Sequence, residues 1–172
     1  MTDSVGVTAG KDIAWKAGCD ATSSGGISLA AGAKMTMDGS AAHGGHWIVT
    51  AAVLSLGKGS QITGAGAVDM LASGSDKAKF DGAVTDAITV GIKMTNGAIG
   101  ENAVFSANKQ VVVIANDALE VNGSFTKNGS VWLQGKTLSV PKKPAFVGNT
   151  TCGMQGLVDG DAESLGCKTV AP

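Results

Sequence analysis

Between Val111 and Val140 the chain reads VVVIA-ND-ALEV-NG-SFTK-NG-SVWLQ-GK-TLSV, with short runs rich in Val, Leu, Phe and Trp separated by polar pairs. Short apolar runs punctuated by Asn, Asp and Gly predict β-strands and turns. Leu119, Phe125, Val131 and Leu138 follow one another at steps of six or seven residues, so three steps make a cycle of about twenty. A cycle of that length is the mark of a solenoid, in which each coil buries its apolar side against the coils beside it. Carried backwards, the cycle places coil starts near Ile27, Ile48, Val68, Ile88 and Val111. Within those coils ISLAAGAKMTMDG, WIVTAAVLSLGKG and ITVGIKMTNG alternate apolar and polar positions as half-buried strands do.

The pattern predicts an all-β, single-domain β-solenoid, a parallel β-helix. Residues 27–140 form its β-rich core, 1–26 an N-terminal cap or arm, and 141–172 a C-terminal docking or capping tail. An antiparallel β-sandwich or jelly roll is the alternative, because Asn96-Gly97, Asn122-Gly123 and Asn128-Gly129 are also strong two-residue hairpin signals. The solenoid is preferred because its strands are short and evenly spaced, and because recurring Gly and Asn suit left-handed corners. AVDMLASGSDKAK, ending at Lys79, contains helix formers, but Gly74 and two Ser residues argue against a helix there. After Pro141 the periodicity fades, and the two prolines of PKKPAF interrupt any ladder. A segment of this kind suits the covering of an open solenoid end.

Composition changes the picture chiefly by exclusion. The apolar fraction is 44% and the net charge −1, so the chain has the makings of a core rather than of a disordered segment. It contains 13 basic residues, all of them Lys. Bidentate recognition of phosphates and guanine edges relies on the guanidinium fork, and nucleic-acid affinity relies on a basic surface, so no nucleic-acid partner is expected. Only 16% of residues are charged, which weakens repulsion between copies and favours association. The N-terminal MTDSVGVTAGKD lacks a charged region followed by an apolar stretch, so no secretory signal peptide is expected there. No apolar run approaches the ~20 residues of a membrane span.

Candidate chemistry is sparse. Cys152 and Cys167 bracket a Gly-rich loop and are candidates for a disulfide, with two free buried thiols as the alternative; Cys19 is left over. His43 and His46 form the histidine cluster, yet two ligands fall short of the three that a catalytic metal usually takes from protein. Asp159, Asp161 and Glu163 superficially resemble a calcium loop without its twelve-residue pattern, and read as an acidic turn. Cys19 with His43 has no supporting nucleophile motif, and Gly64 and Gly66 lack the third glycine of a dinucleotide fingerprint. Asp69, Asp76, Asp81 and Asp86 supply carboxylates for glycoside cleavage in principle, but a sugar site also wants stacking aromatics. Trp15, Trp47 and Trp132 read instead as core or interface anchors. No catalytic residue, metal or cofactor is therefore expected.

The segment from Ala118 to Val140, ALEVNGSFTKNGSVWLQGKTLSV, resembles coils of right-handed parallel β-helices. Such coils occur in bacterial surface adhesins, autotransporter passengers, and phage tail and virion proteins. The resemblance covers about twenty-three residues and implies architecture, with no activity attached. Surface passengers normally follow a signal peptide and tailspike depolymerases are several times longer; a small β-rich virion protein is compatible with both facts. The expected function is a structural protein of a phage virion, a capsid decoration or cement protein or a small fibre component. It would self-associate, with a trimer among the options, and dock to other structural proteins of the assembly. An extracellular or cell-surface adhesin or filament subunit is the first alternative, and a polysaccharide-active enzyme the second.

Overall fold

The computed structural model describes residues 13–17, 26–29, 34–37, 45–64, 66–126, 129–140, 145–147, 151–159 and 167–170. Cys19, His43, Asp161 and Glu163 lie outside them, as do the side chains of Trp15, His46, Trp47 and Asp76. The described residues form one parallel β-solenoid with no helix among them. Its strands are β1 (Ile13–Ala17), β2 (Gly26–Leu29), β3 (Lys34–Met37), β4 (Gly45–Ala51), β5 (Val53–Leu56), β6 (Gln61–Gly64), β7 (Gly66–Phe80) and β8 (Ala83–Ile99). They continue as β9 (Val104–Ala115), β10 (Ala118–Val121), β11 (Ser124–Thr126), β12 (Ser130–Ser139), β13 (Ala145–Val147), β14 (Thr151–Asp159) and β15 (Lys168–Val170).

Each coil has three faces. The first stacks β4, the front of β7, the middle of β8, the end of β9, the front of β12 and the front of β14 in parallel register. Trp47, Val68, Val90, Val111, Val131 and Cys152 thus share one column of this face. Beside it, Val49, Met70, Ile92, Val113, Leu133 and Met154 form a second column, buried throughout. The second face aligns Leu56, Phe80, Ile99 and Val121. The third aligns Ile62, Val84, Phe105, Phe125 and Phe146. Because strand side chains alternate between faces, each inward column becomes a continuous apolar wall.

Parallel pairing removes the sandwich alternative, and the positions of Asn96-Gly97 and Asn122-Gly123 explain why these two pairs do not make hairpins; Asn128 lies outside the described residues. Asn96 begins the second-face part of β8, where its Oδ1 accepts a hydrogen bond from Ala118 N at 3.1 Å on the next coil. Asn122 and Gly123 turn the chain from the second face to the third, between β10 and β11. At the equivalent corner one coil before, Asn102 bonds to Asp81 through both backbone N and side-chain Nδ2, each 3.1 Å from Oδ1. Side-chain amides here join coil to coil, a use of Asn that a hairpin and a solenoid corner share in sequence but not in space.

Coil stacking also continues past Pro141. Phe146 stands in register with Phe125, Cys152 with Val131, Met154 with Leu133, and Val158 with Leu138. Single Cys and Met replacements keep the volume of the column while erasing the visible Val and Leu pattern, so the stack outlasts its legible repeat.

One buried polar group stands out among the described residues. Ser60 is fully buried and its Oγ has no hydrogen-bond partner. A buried unsatisfied hydroxyl costs about 1–3 kcal/mol. Ser60→Ala is therefore expected to leave stability unchanged or raise it by about 1 kcal/mol, read from the midpoint of urea unfolding. A loss of similar size would show that the hydroxyl has a partner in solution.

Candidate functional site

The first face differs from the other two in what it turns outward. Alternation buries Val49, Met70, Ile92, Val113, Leu133 and Met154, and so presents the residues between them to the outside. One outward column runs Ile48, Asp69, Gly91, Val112, Trp132, Gly153 and Lys168. The next runs Thr50, Leu71, Lys93, Ile114, Gln134 and Gln155. Ile48, Val112, Ile114 and Trp132 are only partly buried, and Leu71 is 36% exposed. The sheet is thus apolar on both sides along much of this face. A central parallel strand buried on both faces has that character, whereas an outer wall facing water normally shows polar residues.

Glycines shape the relief. At Gly91 a Cβ would collide with the Asp69 carboxylate, which occupies the space above the glycine. The shallow depression around this point, about 300 Å³, is rimmed by Ile48, Leu71, Val112 and Ile114. At Gly153 a Cβ would stand 2.5 Å from two atoms of the six-membered ring of Trp132. The indole therefore lies along the face, over the glycine of the next coil, and its Nε1 donates to Gln134 Oε1 at 3.4 Å. A second depression of about 290 Å³ opens beside it, between Gln110, Thr151 and Lys168.

The remaining candidates are dispersed. Asp69 faces out from β7, Asp81 sits at the corner between the second and third faces bonded to Asn102, and Asp86 lies beyond the third face with φ 59°. Asp159 closes β14, exposed. No group of three His, Cys, Asp or Glu placed to hold a metal occurs among the described residues. Gly64 ends β6 and Gly66 begins β7, consecutive strands of a coil without an intervening helix. Cys152 and Cys167 are joined by a disulfide, with Cα atoms 4.6 Å apart, and Cys167 is buried. Trp15 belongs to β1 and Trp47 to β4, in register with Val68.

Sequence reading identified Trp132 and missed its apolar neighbours on the outer wall. The signal was present in the unbroken runs WIV and VVVIA, in which every residue is apolar rather than every second one. Which partner each run faces across about twenty residues became visible only with the register.

A polar groove of about 400 Å³ marks the second face, lined among others by Ser75, Lys77, Asn96, Glu120 and Thr137. Lys77 Nζ donates to Glu120 Oε2 at 2.9 Å, and Asn122 Nδ2 to Oε1 at 2.9 Å. These two bonds, the lysine's foremost, hold the Glu120 carboxyl below its ordinary value. A depressed folded-state value means stability that is present above the unfolded pKa, roughly 4.3, and lost as pH falls through the folded one. Both partners are well exposed, at 49% and 39%, so the pair contributes under about 1 kcal/mol. Glu120→Gln is expected to cost that little at neutral pH and to flatten the acid limb of the stability curve slightly. A loss several times larger at neutral pH would contradict the exposed geometry.

The fold makes the chain a parallel β-solenoid. Comparison with family models, curated proteins and solved structures finds no match to it. No helix among the described residues is long and apolar enough to cross a membrane.

Proposed function

We propose that the chain is a structural subunit of a bacteriophage virion, a capsid decoration or cement protein or a small fibre component. It acts by self-association and by docking to a shell. The observation that carries this reading is the outer wall of the first face, where Ile48, Leu71, Val112, Ile114 and Trp132 present apolar surface on the coils of β4, β7, β9 and β12, with Gly91 and Lys93 of β8 between them. Contiguous apolar surface on a rigid support is what an interaction site requires. The low charged fraction, 16%, opposes association weakly. The Cys152–Cys167 disulfide suits a particle that persists in an oxidising medium.

Size-exclusion chromatography with light scattering, followed by co-sedimentation with purified particles, tests the proposal. An oligomer that partitions with the shell supports it. A monomer at every concentration that stays in the supernatant overturns it. The disulfide also favours an extracellular adhesin or filament subunit, which would occur beside secretion genes rather than head and tail genes, and on the cell surface rather than in particles.

A further inference from the structure

The outer wall of the first face carries a pattern of charge that fits a second copy of itself. Along its column Asp69 lies three coils before Trp132 and Lys168 two coils after it, with Val112 adjacent to Trp132. The midpoint of Asp69 and Lys168 therefore falls between Val112 and Trp132. A two-fold axis placed there, running along the strands, reverses the order of coils while keeping each column opposite itself.

Under that operation Asp69 of each copy meets Lys168 of the other, and Trp132 meets Val112. Gly91 comes opposite Gly153, so the two depressions face each other. In the neighbouring column Lys93 meets Gln155, and Ile114 meets Gln134. Thr89 would face Thr151, and Gln110 would face Ser130, which gives the patch a polar edge. No like charges oppose. An axis along the stack instead keeps each coil opposite itself; placed on the Asp69 column, it sets Asp69 against Asp69 and Lys168 against Lys168, which is unfavourable.

We infer that this chain forms a two-fold, antiparallel-stacked dimer through the outer wall of the first face, clasped by two Asp69–Lys168 pairs around a Trp132–Val112 centre. The inference rests on the structural-subunit reading and names its self-association surface. Size is in keeping with it. The six strands that face each other, β7, β8, β9, β12, β14 and β15, occupy about 29 Å at ~4.8 Å each, and their outward segments are about 18 Å long. Two such faces bury about 1,000 Å² together, the lower limit for a specific interface. The arrangement matches interface anatomy, an aromatic and aliphatic centre with charges toward the ends.

Sedimentation velocity on the full chain, from low to high micromolar, tests the inference, with circular dichroism confirming that each variant keeps the wild-type strand signal. The wild type is expected to pass from monomer to dimer over this range. Trp132→Ala should weaken the dimer by roughly a hundredfold. Asp69→Lys and Lys168→Asp should each weaken it by roughly tenfold, and the double exchange D69K/K168D should return it to near the wild-type value. A double exchange no tighter than the singles overturns the geometry. So does a chain that stays monomeric, or an oligomer indifferent to all of these changes. An oligomer or a particle-bound form that ignores them defeats this surface while leaving the structural-subunit reading in place, so the two failures are told apart.

Discussion

Phe125→Ala is expected to lower the free energy of unfolding by about 4 kcal/mol, the largest effect of any single truncation considered for this chain. Phe125 is fully buried on the third face. Its ring stacks on Phe105 of the preceding coil, with centroids 5.8 Å apart and planes 26° apart, and on Phe146 of the following coil at 5.2 Å and 7°. Truncation removes the buried ring and leaves a cavity that neighbours in a close-packed stack fill only in part. It also removes two aromatic pairs, each worth about 0.5–1.5 kcal/mol beyond area alone. Urea unfolding should show a lower midpoint with an unchanged slope, because the same surface is exposed. Phe125→Leu should cost much less. A Phe125→Ala loss under about 1 kcal/mol would mean that the ladder of rings carries little of the stability, and that the coils are held mainly by their backbone pairing.

Phe125 was one of the four residues whose spacing revealed the repeat. Leu119, Phe125, Val131 and Leu138 prove to be successive inward residues on the second, third, first and second faces, each at most 2% exposed. The cycle was readable there because the connections between faces are two or three residues long and faces three to five, so one large apolar residue per face recurs at an even step. Toward the N-terminus the phase drifts. Ile27 stands opposite Leu54 on the second face, and Ile48 opens a coil but points outward, whereas Val68 and Val111 are inward residues of the first. Offsets between aligned residues show the cause: 27 from Ile27 to Leu54, against 20 from Val111 to Val131. The chain runs four residues from β2 to β3 and seven from β3 to β4, and these longer intervals break the count.

The interaction face was legible only in part, for a different physical reason. Strand alternation identifies a buried side when the other side is polar, but VVVIA and WIV give no such contrast, and either side satisfies a core. Trp132 was found because Trp is rare and large. Leu71, Ile114 and Val112 were not, because each is ordinary alone and becomes a patch only when coils about twenty residues apart are laid in register. The same holds for Asp69 and Lys168, whose relation to Trp132 depends on counting coils rather than residues.

The second large effect belongs to the last coil. Replacing both Cys152 and Cys167 by Ala is expected to cost about 3 kcal/mol, the loop-closure value for a ~15-residue loop. In a stack, each coil is stabilised by its neighbours, and a terminal one has a neighbour on one side only. Among the described residues β15 pairs with β14 alone, while β14 rests on β12. The disulfide ties Cys167, just before β15, to Cys152 inside β14, and so restrains an element that has a single partner strand. Without it, opening of β14 and β15 should precede global unfolding. Hydrogen exchange should then show amides of β14 and β15 losing protection first, while those of β8 and β9, paired to each other and to coils on both sides, keep theirs. Uniform loss of protection through the stack would instead mean that the coils unfold as one unit. The disulfide would in that case stabilise the whole solenoid rather than its end.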